Sequence, residues 1–310
     1  MTIKTENTEK SENTENNHGY DKSLDGRIIK GIGGFYYVDT ECGVFECRAR
    51  GIFRHENMKP LVGDIVKITA NMESLKGSLD TIEPRENCLL RPHVANVTQM
   101  ATVIATTNPK PNLVVVDKLI ASAEYANIIP LICINKMDLD GATELVKIYS
   151  ESGFEVVELS AEKGINIEKL TQKLDGNVTV FAGNSGVGKS SLLNCIVGKY
   201  SFETGITSAK VERGKHTTRH SELVALKTGG YIIDTPGFSS FELEDVEANR
   251  LCELFREFED YRYSCKFRDC SHTVEKGCAV LEALKNHKIS ESRHRSYVKL
   301  YEELKAHKEY

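Results

Sequence analysis

The chain has 310 residues, of which 40% are hydrophobic, and a formal net charge of -5. This length suits two or three domains, and no apolar run approaches the roughly 20 residues of a membrane-spanning helix. The N-terminus has no apolar signal region, so we expect a cytoplasmic protein. The negative charge excludes a global attraction to nucleic acid, and any RNA contact must come from local basic patches. Nine cysteines, an odd number, fit a reducing compartment better than a disulfide framework.

Two N-terminal regions differ sharply in composition. Residues 1–19 are mostly Asn, Glu, Thr and Lys, which predicts a disordered tail. Residues 20–85 instead alternate short apolar strands with Gly and Asn, and the strands are predicted at 26–29, 35–39, 44–50, 64–69 and 78–82. Five strands in this length indicate an OB-type β-barrel, a fold that commonly binds oligonucleotides. The aromatic and basic residues near Tyr36 and Arg48 either form an RNA-binding face or belong to the core and a solvated surface.

The region from residue 86 to 240 alternates apolar strands with helical segments. Helices are predicted at 114–126, 142–150, 167–174 and 190–197. This alternation indicates a mostly parallel α/β sheet covered on both faces, in which ligands bind at the C-terminal ends of the strands. Each of four nucleotide-binding motifs in this region follows a predicted strand, as that rule requires.

A guanine-reading motif follows the predicted strand 129–134. It consists of Asn135, Lys136, Met137 and Asp138. The Asp138 carboxylate can accept hydrogen bonds from N1–H and the exocyclic amine of guanine, whereas adenine offers no such donor pair, which disfavours an ATP-dependent enzyme. The strand 155–159 ends in Ser160 and Ala161, which match the loop that backs the base in GTPases. The alternative is a solvated loop that matches by accident.

A phosphate loop of the pattern G-x-x-x-x-G-K-[ST] follows the predicted strand 178–182. The loop and the residue after it are Gly183, Asn184, Ser185, Gly186, Val187, Gly188, Lys189, Ser190 and Ser191. The glycines let backbone N–H groups approach the phosphates of GTP, Lys189 reaches the β and γ oxygens, and Ser190 ligates Mg²⁺. The helix that begins here favours an anion at its N-terminus. A chance glycine-rich turn is the alternative, and the flanking strand and helix disfavour it.

The sequence Asp-Thr-Pro-Gly after the strand 231–233 supplies further candidates. Asp234 would hold Mg²⁺ through water, and the N–H of Gly237 would sense the γ-phosphate. This sequence is also an ordinary turn, so it gains its meaning from the phosphate loop upstream.

The residue that positions the attacking water differs from the usual pattern. Phe238 stands where a Ras-like enzyme has Gln. His216 is a candidate substitute that could orient or deprotonate water, although a surface histidine in a basic loop is an equal alternative. Thr217 or Thr218 would complete the Mg²⁺ shell, and we favour Thr218. We therefore predict slow intrinsic hydrolysis that a partner accelerates.

Residues 241–310 are predicted to form a mainly helical, charged domain. Four candidate metal ligands lie in it: Cys265, Cys270, His272 and Cys278. Three thiolates and an imidazole can close a tetrahedral Zn²⁺ shell, which favours a structural metal; buried free thiols are the alternative. The last stretch also carries basic residues that either touch RNA phosphates or form a solvated helix face, namely Lys285, Lys288, Arg293, Arg295, Lys299 and Lys305.

The guanine motif precedes the phosphate loop, which reverses the usual order, and in this arrangement the chain resembles the RsgA family of circularly permuted GTPases. The most specific features are Asn-Cys-Leu-Leu-Arg-Pro-His-Val-Ala-Asn-Val at 87–97, Gly-Lys-His-Thr-Thr at 214–218, Phe238 and the Cys3His cluster. The resemblance covers nearly everything after the first twenty residues.

This resemblance implies an OB domain, a permuted G domain and a zinc domain. It further implies a monomer that contacts 16S rRNA and hydrolyses GTP during late maturation of the 30S ribosomal subunit, stimulated by that subunit. The alternative is a nucleotide-gated RNA-binding or ribosome-binding switch with little turnover. Because the chain enters the zinc domain directly after 234–238, we also predict that loss of the γ-phosphate reorients this domain.

Overall fold

The computed structural model of the protein describes residues 21–51, 53, 58–90, 93–198, 221–234, 243 and 245–307. The predicted N-terminal tail lies outside these ranges. Eleven of the thirteen strands in the described part form one continuous sheet. None of the helices in these ranges has the length and apolar character needed to cross a membrane.

The N-terminal part of this sheet closes into a barrel. Its strands are β1 (Asp21–Ile32), β2 (Phe35–Thr40), β3 (Gly43–Ala49), β4 (Ile65–Asn71) and β5 (Lys76–Ile82). They follow the order β1-β2-β3-β5-β4, and β4 returns to pair with β1 in antiparallel register. Each strand places at least one fully buried apolar side chain inside, among them Ile28, Val38, Phe45, Ile68 and Leu79. The predicted five-stranded barrel of the OB type is thereby confirmed.

The central part of the sheet is open and mostly parallel. Its strands are β8 (Gln99–Ala105), β9 (Ile129–Asn135), β10 (Glu155–Glu158), β11 (Val178–Ala182), β12 (Glu222–Ala225) and β13 (Tyr231–Asp234). The order is β10-β9-β8-β11-β13-β12, with only β12 antiparallel to its central neighbour. The short pair β6 (Cys88–Leu90) and β7 (His93–Ala95) lies between barrel and sheet in the chain.

Four helices accompany this sheet, as the alternating pattern predicts. They are α1 (Leu113–Tyr125), α2 (Thr143–Glu151), α3 (Ile167–Leu174) and α4 (Lys189–Val197). The strands β8 and β11 are buried along their whole length, because neighbouring strands and helices cover both faces. The C-terminal ends of β8, β9, β11 and β13 meet at one edge, which is where the nucleotide motifs lie.

The C-terminal region is helical, as predicted. It contains the 3-10 helices Ala248–Leu254 and Arg256–Phe258, followed by α5 (Glu259–Arg262), α6 (Ala279–Lys285) and α7 (Glu291–His307). Its core is aromatic, with the Tyr297 ring centroid 5.2 Å from that of Phe255 and 4.8 Å from that of Phe258. These side chains are almost fully buried, so the region has a core of its own.

One of the predicted basic surface residues is in fact buried between this region and the central sheet. The Arg293 side chain on α7 is 1% exposed, with Nη1 2.6 Å from Asp117 Oδ1 on α1 and Nε 2.7 Å from Glu257 Oε1. The prediction that Arg293 faces RNA or solvent was therefore wrong. Sequence pattern alone did not reveal that two carboxylates from distant segments would surround the guanidinium.

Candidate functional site

The phosphate loop joins β11 to α4 in a backbone conformation that requires glycine. Gly183 has φ of 139° and Gly188 has φ of 97°. A Cβ at Gly183 would lie 2.4 Å from the Val103 carbonyl oxygen, and a Cβ at Gly188 would lie 2.2 Å from Asn135 Nδ2. Both positions combine a positive φ with a close contact, so any side chain would displace either the neighbouring strand or the guanine motif.

Asn135 connects three loops of the site. It is 2% exposed. Its Nδ2 donates to the Val187 carbonyl of the phosphate loop at 2.8 Å, and its Oδ1 accepts from the Ala161 N–H at 3.0 Å. Next to it, Lys136 Nζ donates to the Gly186 carbonyl at 2.8 Å. The guanine motif, the loop behind the base and the phosphate loop are therefore held in fixed positions relative to one another.

The Lys189 amine is held within the phosphate loop itself. Its Nζ donates to the Gly183 carbonyl at 2.7 Å and to the Asn184 carbonyl at 2.8 Å. Burial lowers the pKa of Lys189. Ser190 follows Lys189 in the first turn of α4, whose N-terminal N–H groups lack partners within the helix. The amine, the hydroxyl and these N–H groups together suit a phosphate.

The side chain predicted to recognise guanine is free to do so. Asp138 is exposed and makes no side-chain hydrogen bond within the described part of the chain. The turn that carries it is anchored by the Met137 N–H, which donates to the Leu159 carbonyl at 3.3 Å. Ser160 is fully buried and its Oγ accepts from the Lys163 N–H at 3.1 Å, which shapes the loop behind the base.

A loop that sequence reasoning missed completes this edge. Thr106 follows β8, and its Oγ1 donates to the Lys136 carbonyl at 2.9 Å. Lys136 Nζ also donates to the Asn108 carbonyl. Pro109 Cδ would lie 3.5 Å from a Cβ placed on Gly186. The available signal was the polar Thr-Thr-Asn-Pro sequence directly after a buried strand, because such positions form the ligand edge of a parallel sheet.

The predicted catalytic residues are only partly described. Strand β13 pairs in parallel with β11, from Val178↔Tyr231 to Val180↔Ile233, and ends at Asp234 beside the phosphate loop. His216, Thr217, Thr218, Gly237 and Phe238 lie outside the described residues. Their roles remain predictions.

The Cys3His set forms a compact cluster. Its four ligand atoms lie within 4.8 Å of one another. Cys265 Sγ lies 3.8 Å from Cys278 Sγ and 3.5 Å from His272 Nδ1, and the His272 to Cys278 distance is 3.4 Å. A tetrahedral Zn²⁺ with ordinary bond lengths requires S–S separations of about 3.8 Å and S–N separations of about 3.6 Å. The donor set and its spacing therefore fit zinc.

The backbone around the cluster supports the metal ligands. The Ala279 N–H donates to Cys265 Sγ at 3.3 Å, and the Leu281 N–H donates to Cys278 Sγ at 3.5 Å. His294 Nε2 lies 2.8 Å from the His272 carbonyl oxygen. Such contacts orient the ligands and stabilise thiolates, so the site is built for a bound ion rather than for free thiols.

A carboxylate shapes the loop between the ligands. Glu275 accepts hydrogen bonds from the Ser271 hydroxyl and from the backbone N–H groups of Ser271, Thr273 and Val274, the latter at 2.7, 3.1 and 3.1 Å. Burial acts to raise the pKa of Glu275, but these hydrogen bonds outweigh it and bring the pKa to about 2. The loop that carries His272 is thus held by an ionised side chain at neutral pH.

Comparison with known proteins assigns the chain to a family. The family model described as the RsgA GTPase matches residues 82–244, and the model of the RsgA N-terminal domain matches residues 25–77. The chain belongs to the RsgA GTPase family. A relative from Ruminiclostridium cellulolyticum, the small ribosomal subunit biogenesis GTPase RsgA, is 48% identical over 285 residues, which cover 90% of this chain and 93% of that protein. GTP hydrolysis is the activity named for the RsgA family.

Two solved structures share this architecture over most of the chain. YjeQ from Thermotoga maritima is 36% identical with a TM-score of 0.80, covering 91% of this chain and 99% of that chain. YloQ, described as a circularly permuted GTPase, is 34% identical with a TM-score of 0.79, covering 93% and 97%. The chain has the permuted order too, because the guanine motif after β9 precedes the phosphate loop after β11.

Proposed function

We propose that this protein binds the small (30S) ribosomal subunit and hydrolyses GTP to GDP and phosphate during late maturation of that subunit. Hydrolysis is stimulated by the subunit and coupled to release from it. GTP binding is supported mainly by the hydrogen bonds of Asn135, which hold the guanine motif on the phosphate loop. The ribosomal part rests on the relatives, which are named small ribosomal subunit biogenesis GTPases.

In the proposed reaction, water attacks the γ-phosphorus in line, the bond to the β–γ bridging oxygen breaks, and GDP leaves with the electron pair while the water's protons pass to phosphate and solvent. Asp138 reads the base, Lys189 and the loop N–H groups hold the phosphates, and His216 orients the water. Ser190, Thr218 and Asp234 would hold Mg²⁺, which neutralises charge on the β and γ oxygens when bound.

We propose that the two domains that flank the GTPase domain serve to bind the ribosomal subunit. We assign residues 20–85 to an RNA-binding barrel, 86–240 to the GTPase domain and 241–310 to a domain with one structural Zn²⁺ held by the Cys3His cluster. The partner is 16S rRNA within the subunit, the protein acts as a monomer, and its location is cytoplasmic.

The rival function is a nucleotide-gated switch with little turnover. Phe238 favours it, because no Gln stands at that position to orient water. Phosphate release titrated with 30S particles separates the two. We expect slow release alone and at least a tenfold rise with subunits, and His216→Ala to lose most of the stimulated rate. An unstimulated wild-type rate would favour the switch.

Base recognition gives an independent test of the nucleotide site. Asp138→Asn removes an acceptor for two guanine donors and should weaken GTP affinity at least about tenfold, because hydrogen bonds to charged groups are worth about 1.5–3 kcal/mol. Asp140→Asn is the matched control, since Asp140 is also exposed and its one side-chain hydrogen bond in the described ranges is from the Gly141 N–H, at 2.9 Å. Fluorescent-nucleotide titration measures both, and unchanged GTP affinity in Asp138→Asn would refute the assignment.

A further inference from the structure

A two-stranded hairpin lies between the two segments that carry the predicted γ-phosphate chemistry. Strand β12 begins at Glu222, shortly after the segment with His216 and Thr218, and β13 ends at Asp234. The two strands pair in antiparallel register from Glu222↔Asp234 to Ala225↔Tyr231. A displacement of this hairpin would therefore move Glu222 and Asp234 together, because these two residues are paired at its open end.

The barrel holds this hairpin by its outer edge. Strand β1 pairs with β12 at Lys30↔Glu222, which makes barrel and central sheet one continuous structure. The two side chains of that pair form an ion pair, with Lys30 Nζ 2.8 Å from Glu222 Oε2. Strand β12 has β1 on one side and β13 on the other, so the barrel stands two strands away from Asp234.

A side-chain contact also joins the barrel directly to β13. The Tyr231 hydroxyl donates to Asp39 Oδ2 on β2 at 2.8 Å, and the Arg27 guanidinium carbon lies 5.8 Å from the centre of the Tyr231 ring. Burial and the hydrogen bond to Asp39 raise the pKa of Tyr231 to about 12, so the hydroxyl stays protonated and donates at neutral pH. Arg27 is itself fixed, because it donates to the Gly63 carbonyl at 2.8 Å.

The backbone of Tyr231 contacts the segment directly before β11, the strand that leads into the phosphate loop. The Tyr231 N–H donates to the Asn177 carbonyl at 2.7 Å, directly before β11 begins. A Cβ on Gly230 would lie 2.6 Å from that same carbonyl oxygen, so the turn before β13 packs closely against this segment and has no room for a side chain at Gly230. Tyr231 is thus clamped between the barrel and the base of the phosphate-loop strand.

We propose that Tyr231 is a positioning residue for GTP hydrolysis, through which Asp39 of the barrel sets the strand that presents Asp234. Binding of the barrel to RNA changes the rate by acting on this contact, a consequence that rests on the proposed function. No hydrogen bond or ion pair joins the guanine motif at 135–138 to the hairpin among the described residues, so the contact governs the hydrolytic step and Mg²⁺ use rather than base recognition.

The test uses the full chain with Tyr231→Phe, which removes only the hydroxyl. Single-turnover hydrolysis at saturating GTP should slow about three- to tenfold, which is less than the full value of a hydrogen bond to a carboxylate because the lost contact acts on the site only through the strand. The Mg²⁺ concentration for half-maximal rate should rise by a similar factor, whereas GDP affinity should stay within about twofold. Asp39→Ala should reproduce these changes, Asp39→Asn should retain most of the rate, and the Tyr231→Phe, Asp39→Ala double variant should be no worse than either single one.

Thr69→Val provides the control, because it removes another barrel hydrogen bond to a carboxylate, Thr69 Oγ1 to Asp80 Oδ2 at 2.6 Å, away from the hairpin. It should leave rate and Mg²⁺ dependence unchanged. A wild-type rate in Tyr231→Phe, additive effects in the double variant, or the same loss in Thr69→Val would each overturn the proposal. Because these measurements need no ribosome, a failure of 30S stimulation in the wild type would count against the proposed function and its consequence for RNA binding, and not against the role of Tyr231.

Discussion

The central sheet is joined to its two neighbours by interfaces of opposite character. The barrel is attached through the edge of β12, where the Lys30 and Glu222 side chains of the ion pair are 32% and 39% exposed, through the contact of Tyr231 with Asp39, and through an apolar cluster that the two parts share. The C-terminal region is attached through Arg293, Asp117 and Glu257, whose side chains are at most 3% exposed. We call the exposed Lys30–Glu222 ion pair at this edge the wet interface, and the buried network of Arg293 with Asp117 and Glu257 the dry interface.

The dry interface holds one guanidinium between two carboxylates. Burial acts to lower the pKa of Arg293, but the carboxylates of Glu257 and Asp117 outweigh it and raise the pKa. The guanidinium also lies over the Phe255 ring, with its carbon 4.6 Å from the ring centre, and the Tyr149 hydroxyl donates to Asp117 Oδ1 at 3.2 Å. Separating these groups would leave a buried charge without a partner, which costs several kcal/mol.

This difference changes one expectation from the sequence. A reorientation of the zinc domain after γ-phosphate loss would have to break the Arg293 network. The Lys30–Glu222 ion pair at the barrel edge offers a much weaker resistance than this network, because exposed ion pairs contribute about 0–1 kcal/mol. We therefore expect a change of the bound nucleotide to alter the barrel through β12 and β13, while the C-terminal region stays fixed to α1.

The largest effect should come from removing a zinc ligand. Cys265→Ser should lose the bound metal and unfold the region from residue 245 to 307, because a structural Zn²⁺ supplies folding energy to small domains. Cys252→Ser, in the same region but outside the cluster, should keep one zinc per chain. Elemental analysis with limited proteolysis checks this, and full zinc retention in Cys265→Ser would contradict the metal site.

The next effect tests the dry interface. Arg293→Ala leaves two buried carboxylates without their cation, so the free energy of unfolding should fall by about 3–5 kcal/mol. Arg295→Ala is the matched control on the same helix, since Arg295 is exposed and should change stability by less than about 0.5 kcal/mol. Urea unfolding measures both, and a loss below about 1 kcal/mol in Arg293→Ala would remove the contrast between the interfaces.

The smallest effect tests the wet interface. Lys30→Ala removes an exposed ion pair and should lower stability by less than about 1 kcal/mol, less still at high salt. Thermal unfolding at low and high salt detects it. A loss as large as that of Arg293→Ala would show that both interfaces are equally rigid.

Local patterns explain why so much of the architecture was predictable. The phosphate loop needs glycine at Gly183 and Gly188 for reasons of backbone shape, and alternating apolar residues specify the barrel whatever lies beside it. Arg293 and Tyr231 show what local sequence patterns do not reveal. Each looks like an ordinary surface or strand residue until a partner distant in sequence, Asp117 or Asp39, is brought next to it by the fold. Such pairings leave no periodic signal in a single sequence.

We expect a change of the bound nucleotide to alter the barrel through the hairpin, and not to alter the C-terminal region through the dry interface. Hydrogen exchange with GDP and with a non-hydrolysable GTP analogue tests it directly. We predict that protection changes at residues 222–225, at 231–234 and along β1, while residues 248–262 and α7 exchange alike in both states. A change confined to residues 248–262 and α7, with the hairpin and β1 unaltered, would contradict the account.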